Sequence, residues 1–144
     1  MEKWEILRQK KEFQNRIFTI RNLDCFNERK NVRNDFYVID TFNWINVVAL
    51  TPDGKFILVK QHRLGSDELS IETPGGVIED NEDAAACAVR ELREETGYIG
   101  KKVSLLKSLM VNPAIMSNRI TFYLIEDCEY SGSRELDPAE EIEV

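Results

Sequence analysis

Only one stretch of this 144-residue chain carries the periodicity of a surface helix, and the segments around it read as strands. From about Asp83 to Thr96, the residues Ala85, Ala88, Val89 and Leu92 recur at i, i+3, i+4 and i+7, and Gly97 follows as a stop. From about Trp4 to Asp40, apolar and polar side chains alternate, as in Phe18-Thr-Ile-Arg-Asn-Leu, which suits strands with one covered face. Trp44 to Leu50 and Lys55 to Gln61 flank Thr51-Pro52-Asp53-Gly54, where proline second and glycine fourth fit a β-turn, so these two segments are expected to pair as a hairpin. At Pro74-Gly75-Gly76 strand pairing is expected to stop, the chain turning through backbone angles open to glycine. Val103 to Val111 and Ile120 to Ile125 read as further strands around a loop holding Asn112-Pro113. One helix among many strands must cover a sheet, which gives an α+β layered fold.

Several classes are excluded early. Apolar runs such as Val47 to Leu50 fall far short of the ~20 residues a membrane span needs. The N-terminus has no apolar signal region, so a cytoplasmic location is expected. Cys25, Cys87 and Cys128 show no C-x-x-C spacing and read as small buried side chains, and one histidine, His62, supports neither a zinc site nor a serine triad; it reads as a packing residue. The balance of 26 acidic and 19 basic residues disfavours nucleic acid as a partner. Residues 1–34 carry nine basic and five acidic side chains, so the acidity belongs to the rest.

On the helix the acidic residues are not scattered. Glu91, Glu94 and Glu95 lie at i, i+3 and i+4 and project from one arc, beside the expected apolar one. Carboxylates this close repel unless a cation sits among them, and a hard divalent ion takes oxygen ligands. A solvated acidic face, with Arg90 paired to Glu94, is the alternative. The glycines just before the helix favour a ligand, since their backbone presents no side chain to it.

Gly76, five residues, Glu82, seven residues, then Arg90-Glu91-Leu92-Arg93-Glu94-Glu95-Thr96-Gly97-Tyr98 resembles the Nudix box, with Tyr98 where an aliphatic residue is usual. The resemblance implies a Nudix-type α/β/α sandwich with a mixed central sheet, over 41–144 without the usual C-terminal helix, and a strand-rich segment over 1–40 that pairs two subunits as a homodimer. It also implies a small-molecule nucleotide substrate and Mg2+ as cofactor, with Mn2+ as a substitute. Carried over to this chain, Glu91, Glu94 and Glu95 are metal ligands, with the carbonyl of Gly75 as a further one, and Glu91 and Glu95 are also assigned to catalysis. Glu82 and Arg90 hold the loop to the helix.

The flanks resemble the ADP-ribose and nucleotide-sugar pyrophosphatase branch. Gln61-His62-Arg63 is similar to its Q-aromatic-R, which implies that Arg63 contacts a substrate phosphate. Ile71-Glu72-Thr73-Pro74-Gly75-Gly76 resembles L-E-x-P-A-G and makes Glu72 a site residue, while Pro113 stands fifteen residues beyond Tyr98, a spacing of that branch. Glu140-Glu141-Ile142-Glu143-Val144 fits E-x-aliphatic-x-V, which makes Glu140 the base that activates water, with Glu141 and Glu82 as alternatives. Trp4, Phe18, Phe36 and Trp44 are open to base stacking, subunit contact or ordinary core. The implied reaction splits ADP-ribose or a related nucleoside diphosphate sugar into a nucleoside monophosphate and a sugar phosphate. A nucleoside triphosphate pyrophosphatase and a non-catalytic ADP-ribose sensor are the competing functions.

Overall fold

A computed structural model describes residues 2–136, 138 and 141–144. Its contacts divide the chain into two compact units. The first joins the chain up to Phe42 to Met110–Arg119. Here β1 (Glu5–Gln14), β2 (Phe18–Asn27) and β3 (Val32–Thr41) form an antiparallel sheet in that order. β2 and β3 pair without interruption from Phe18 opposite Thr41 to Asn27 opposite Val32, whereas β1 shifts register twice and is exposed along its length. Ion pairs Arg21–Asp40 and Arg33–Asp24 tie β2 to β3. Residues 115–117 add to β3 through Ile39, whose N–H donates to Ile115 at 2.8 Å and whose carbonyl accepts from Ser117 at 3.1 Å.

The second unit, Asn43–Leu109 with Ile120–Val144, is built on β4 (Trp44–Leu50). Its remaining strands are β5 (Phe56–Ile57), β6 (Val59–Arg63), β7 (Glu68–Glu72), β8 (Gly75–Val77), β9 (Tyr98–Ile99), β10 (Lys102–Met110), β11 (Arg119–Glu126) and β12 (Glu129–Tyr130). β4 is central to a sheet ordered β10-β11-β4-β5, with β8 also on β4. β11 runs parallel to β4 while β5 and β8 run antiparallel, so the sheet is mixed. β6 pairs with β7, and β9 with β12. The burial of β4 alternates: Ile45, Val47 and Ala49 are fully covered and meet Cys87, Ala88 and Leu92 of the helix and Tyr123 and Ile125 of β11 in one core. All three cysteines are buried thiols, as expected from their spacing.

The expected α+β class holds, with a mixed sheet and a strand-rich N-terminal segment, and α1 (Ala84–Thr96) is the one α-helix among the described residues. No helix among them is long and apolar enough to cross a membrane. Asp83 caps the start of α1, its Oδ1 accepting from the N–H groups of Ala85 and Ala86 at 3.0 and 3.1 Å. Gly97 ends it at φ 75°, its N–H donating to Arg93 at 2.8 Å.

Three expectations need correction. The hairpin is shorter than its sequence suggests: only Phe56 and Ile57 pair with β4, and Val59–Arg63 leaves to pair with β7. The reason is the second correction. The other half of β4 is taken by Gly75–Val77, which is a strand and not a turn: Trp44 faces Val77, Ile45 faces Gly76 and Asn46 faces Gly75. Neither glycine has a positive φ. They are required by crowding, since a Cβ on Gly75 would lie 2.4 Å from Asn46 Oδ1 and one on Gly76 2.2 Å from Glu91 Oε1. Third, the buried arc of α1 is rotated from the expected one; Cys87, Ala88, Leu92, Glu95 and Thr96 are buried while Val89 is 37% exposed.

The stop of α1 is conformationally demanding. A Cβ on Gly97 would add left-handed strain and come 2.7 Å from the Tyr130 ring and 3.0 Å from the Ser133 carbonyl. Gly97→Ala is expected to destabilise the fold by about 1–3 kcal/mol, read as a lower Tm in thermal denaturation. An unchanged Tm would show that the cap is not under this constraint.

Candidate active site

Three segments of the second unit converge where β8 meets α1. β8 supplies bare backbone, α1 supplies one arc of carboxylates, and the end of β6 supplies Gln61 and Arg63. Between them lies a cavity of about 690 Å³ lined by these groups together with Glu79, Arg90, Glu91, Glu94, Glu95 and Glu135. Five carboxylates thus face one cavity that holds two guanidinium groups.

Arg90 organises the acids. Its Nε and Nη2 donate to the two oxygens of Glu82 at 2.8 and 2.9 Å, and its Nη1 donates to both Glu91 and Glu94 at 2.9 Å. The Arg90 guanidinium lowers the Glu82 carboxyl to about 2 and is itself raised by that contact. This is the loop-to-helix link expected of Glu82 and Arg90, and it also realises the expected Arg90–Glu94 pair. Burial pushes the Cys87 thiol, 3.4 Å from Arg90 Nη2, up to about 12, so it stays protonated.

Glu95 is placed differently. It is 5% exposed, and its Oε2 accepts from the Gly75 N–H at 3.0 Å, which fixes the helix to β8 at the cavity wall. Arg63 reaches the same cavity and forms a two-pronged pair with Glu72, Nε to Oε1 at 2.8 Å and Nη2 to Oε2 at 2.6 Å. That contact holds the Glu72 carboxyl below the usual carboxylate range. The structure therefore brings Gly75, Glu91, Glu94, Glu95 and Arg63 to one cavity and joins Glu72 to it through Arg63. Pro113 belongs to the other unit, in a turn where Asn112 accepts from Ile115 and Met116 at 3.1 and 2.7 Å. Glu140 lies outside the described residues. His62, expected to pack, is exposed and bonded to Asp67 at 3.1 Å, because its ring follows the open face of the β6–β7 pair.

Glu79 and Glu135 were not among the expected site residues. Glu79 has a local signal, since it opens the acidic loop that ends at Glu82. Glu135 has none: it arrives because its backbone N–H donates to the Glu94 carbonyl at 3.1 Å, a pairing 41 residues apart in sequence. Next to it, Arg134 donates from Nε to the Glu95 carbonyl at 2.9 Å and from Nη2 to the Ile142 carbonyl at 2.7 Å.

The donor set suits a hard cation. It consists of carboxylate and backbone oxygens on facing elements, and the space that a Cβ on Gly76 would fill lies against the Glu91 carboxylate. As the side chains stand, no three acidic, thiol or imidazole groups among the described residues are gathered closely enough to hold an ion, and Glu91 and Glu94 are bound to Arg90.

The profile of the NUDIX domain matches residues 43–144, about seven-tenths of the chain. The chain belongs to the NUDIX family. Its similarity to an ADP-ribose pyrophosphatase of Bacillus subtilis (strain 168) is 36% identity over 101 residues, covering 69% of this chain and 55% of that protein. The NUDIX chain thus spans about half the length of that relative. It is 27% identical over 143 residues to ADP compounds hydrolase NudE of Escherichia coli (strain K12), covering 97% of this chain and 75% of that one. A crystal structure of an ADP compounds hydrolase superposes with a TM-score of 0.88 at 23% identity, over 99% of this chain and 77% of that chain. This likeness confirms the NUDIX fold.

The link between Glu82 and Arg90 has a pH signature. A carboxyl held at about 2 in the folded chain against an ordinary value of 4.5 adds stability above pH ~4.5, and that stability is lost as pH falls toward 2. Glu82→Gln is therefore expected to lower Tm by several degrees at pH 7. The gap from the parent should close progressively between about pH 4.5 and 2. A gap independent of pH would mean that Glu82 acts by packing alone.

Proposed function

We propose that this NUDIX domain hydrolyses the diphosphate linkage of ADP-ribose or a related nucleoside diphosphate sugar, giving a nucleoside monophosphate and a sugar phosphate, with Mg2+ as cofactor and Mn2+ as a substitute. The observation that carries this reading is the union, in one cavity, of the box glutamates with Arg63. A carboxylate-lined cavity repels a diphosphate unless cations stand between them, so an acidic wall beside a phosphate-binding guanidinium suits a polyanion brought in with a metal. The names of the relatives, an ADP-ribose pyrophosphatase and an ADP compounds hydrolase, point the same way.

In this reading Glu91, Glu94, Glu95 and the Gly75 carbonyl hold the ion. When bound, it neutralises the diphosphate and polarises its bridging bond. Arg63 binds the substrate phosphate by its planar fork, and Glu72 keeps that fork in position, as their two-pronged pair suggests. Arg90 keeps Glu82 through Nε and Nη2 while Nη1 is freed from Glu91 and Glu94. Glu140 takes the proton from the attacking water. The chain just beyond it is anchored: Ile142 is held by Arg134, and Glu143 pairs with Lys60 of β6 through two backbone bonds of 2.7 and 3.0 Å. Pro113 belongs to the substrate-binding set through its spacing. The reading extends to a cytoplasmic homodimer joined through residues 1–40, where β1 exposes Ile6, Leu7 and Phe13.

The reading is tested by coupling phosphate release to a phosphatase across ADP-ribose, other sugar nucleotides and nucleoside triphosphates, with magnesium and with chelator. Hydrolysis confined to the sugar nucleotides and abolished by chelator is expected; turnover of triphosphates alone would replace the substrate class. Glu91→Gln and Glu95→Gln should each lower kcat by at least about 100-fold with the fold intact, and Glu140→Gln by about 10²–10⁴-fold with magnesium affinity little changed. Full activity of Glu140→Gln would return the base to Glu141 or Glu82. Arg63→Ala should raise KM for ADP-ribose more than it lowers kcat, since a phosphate clamp acts in the ground state as well. Unchanged constants would leave Arg63 a surface residue.

A further inference from the structure

We propose that a second cavity, beside Trp44, takes the nucleobase of the substrate, with the Trp44 indole as its stacking surface. The inference rests on the nucleotide reading of the acidic cavity and goes beyond it by fixing which end of the substrate lies where. The second cavity measures about 370 Å³ and is walled by Trp44, Asn46, Val77 and Ile120. It shares Arg63, Gly75, Gly76 and Val77 with the acidic cavity.

The strand register builds this arrangement. Trp44 lies opposite Val77 on one side and Ile120 on the other, so the three side chains leave the sheet on one face. Ile45, the next residue, leaves on the other face and is buried in the core beneath α1. The box glutamates and Trp44 therefore stand on opposite faces, with β8 between them. β8 has no side chain at Gly75 or Gly76, and on each face the space is closely bounded, by Asn46 at Gly75 and by Glu91 at Gly76. Arg63 borders both cavities at this strand. A diphosphate bound at Arg63 can thus direct one end of the molecule to the glutamates and the other to Trp44.

The walls decide which end goes where. Val77, Ile120 and the half-buried indole offer apolar surface, and the Asn46 side chain offers one amide. A sugar placed there would leave several hydroxyls without partners, which is costly. A base has a flat π-face for the indole and donors and acceptors at its edge for the amide. Of the other aromatics marked in the sequence, Trp4 packs on Phe36 with ring centroids 5.0 Å apart and Phe18 on Phe13 at 5.8 Å, all within the first unit.

Trp4 and Trp44 are the two tryptophans of the chain, so a Trp4→Phe variant makes Trp44 the single indole reporter. With magnesium present, AMP should quench its fluorescence saturably, and ribose 5-phosphate, which carries the phosphate without the base, should not. Trp44→Leu should raise KM for ADP-ribose about 5- to 100-fold with kcat within about threefold, and Trp44→Phe should recover most of the loss. Equal responses to the two ligands, no response to AMP, or an unchanged KM in Trp44→Leu would overturn the assignment and leave the cavity as a surface for protein contact. AMP quenching without any sugar-nucleotide hydrolysis would uphold the base subsite while refuting the proposed reaction.

Discussion

One guanidinium sets the terms for the rest of the site. Arg90 binds Glu82 from the loop and Glu91 and Glu94 from the helix, so a single positive charge holds together three negative ones. The geometry divides its donors: Nε and Nη2 both serve Glu82, whereas Nη1 alone serves the two helix carboxylates. The first contact is two-pronged and locks the entry to α1; the second is shared and easily exchanged. In the proposed reading the loop therefore stays fixed while Glu91 and Glu94 turn toward a cation. A net negative charge remains even with Arg90 in place, because Glu95, Glu79 and Glu135 face the same space.

The sheet register makes the second constraint. β4 receives β8 on the half that β5 does not use, and this brings the helix carboxylates to within contact of a strand backbone. The Gly75 N–H bound to Glu95 is the clearest result: a buried carboxylate is satisfied by a backbone donor that only this register supplies. Gly75 and Gly76 are small for different reasons on the two faces, Asn46 on one and Glu91 on the other. Slipping the register by one residue would exchange those faces and place Trp44 under the helix.

What was legible in the sequence follows the range of the forces involved. The helix and its Gly97 stop are local and could be read directly, as could the Thr51–Gly54 turn, where the Gly54 N–H donates to Thr51 at 2.9 Å. The box glutamates and Arg63 were legible through spacing and resemblance, and the structure brings them to one cavity. The role of Gly75-Gly76 was misread because a glycine pair signals conformational freedom, while the actual requirement is a close approach from residues 29 positions earlier and 15 later. The length of the hairpin was misread because competition for β4 is not visible within either strand. The Val89 position shows the same limit: periodicity gives an apolar arc, but neighbouring strands decide which side of it is covered.

The end of α1 carries a cost that stability alone does not explain. Carbonyls at a helix C-terminus form the negative end of its dipole, and cations are favoured there. This helix instead places Glu94 and Glu95 in its last turn, with Arg93 as the basic residue there. The chain compensates from outside: Ser131 donates twice to the Gly97 carbonyl at 2.8 Å, Arg134 donates to that of Glu95, and the Glu135 N–H to that of Glu94. The carbonyls are thus capped, yet the segment that caps them adds another carboxylate, Glu135, to the same cavity. Each acid has a local partner, Glu95 the Gly75 N–H at 3.0 Å and Glu135 the Arg93 guanidinium at 3.3 Å. The acids gathered at this corner still stand against the helix dipole, and in the proposed reading a bound cation is what turns that repulsion into attraction.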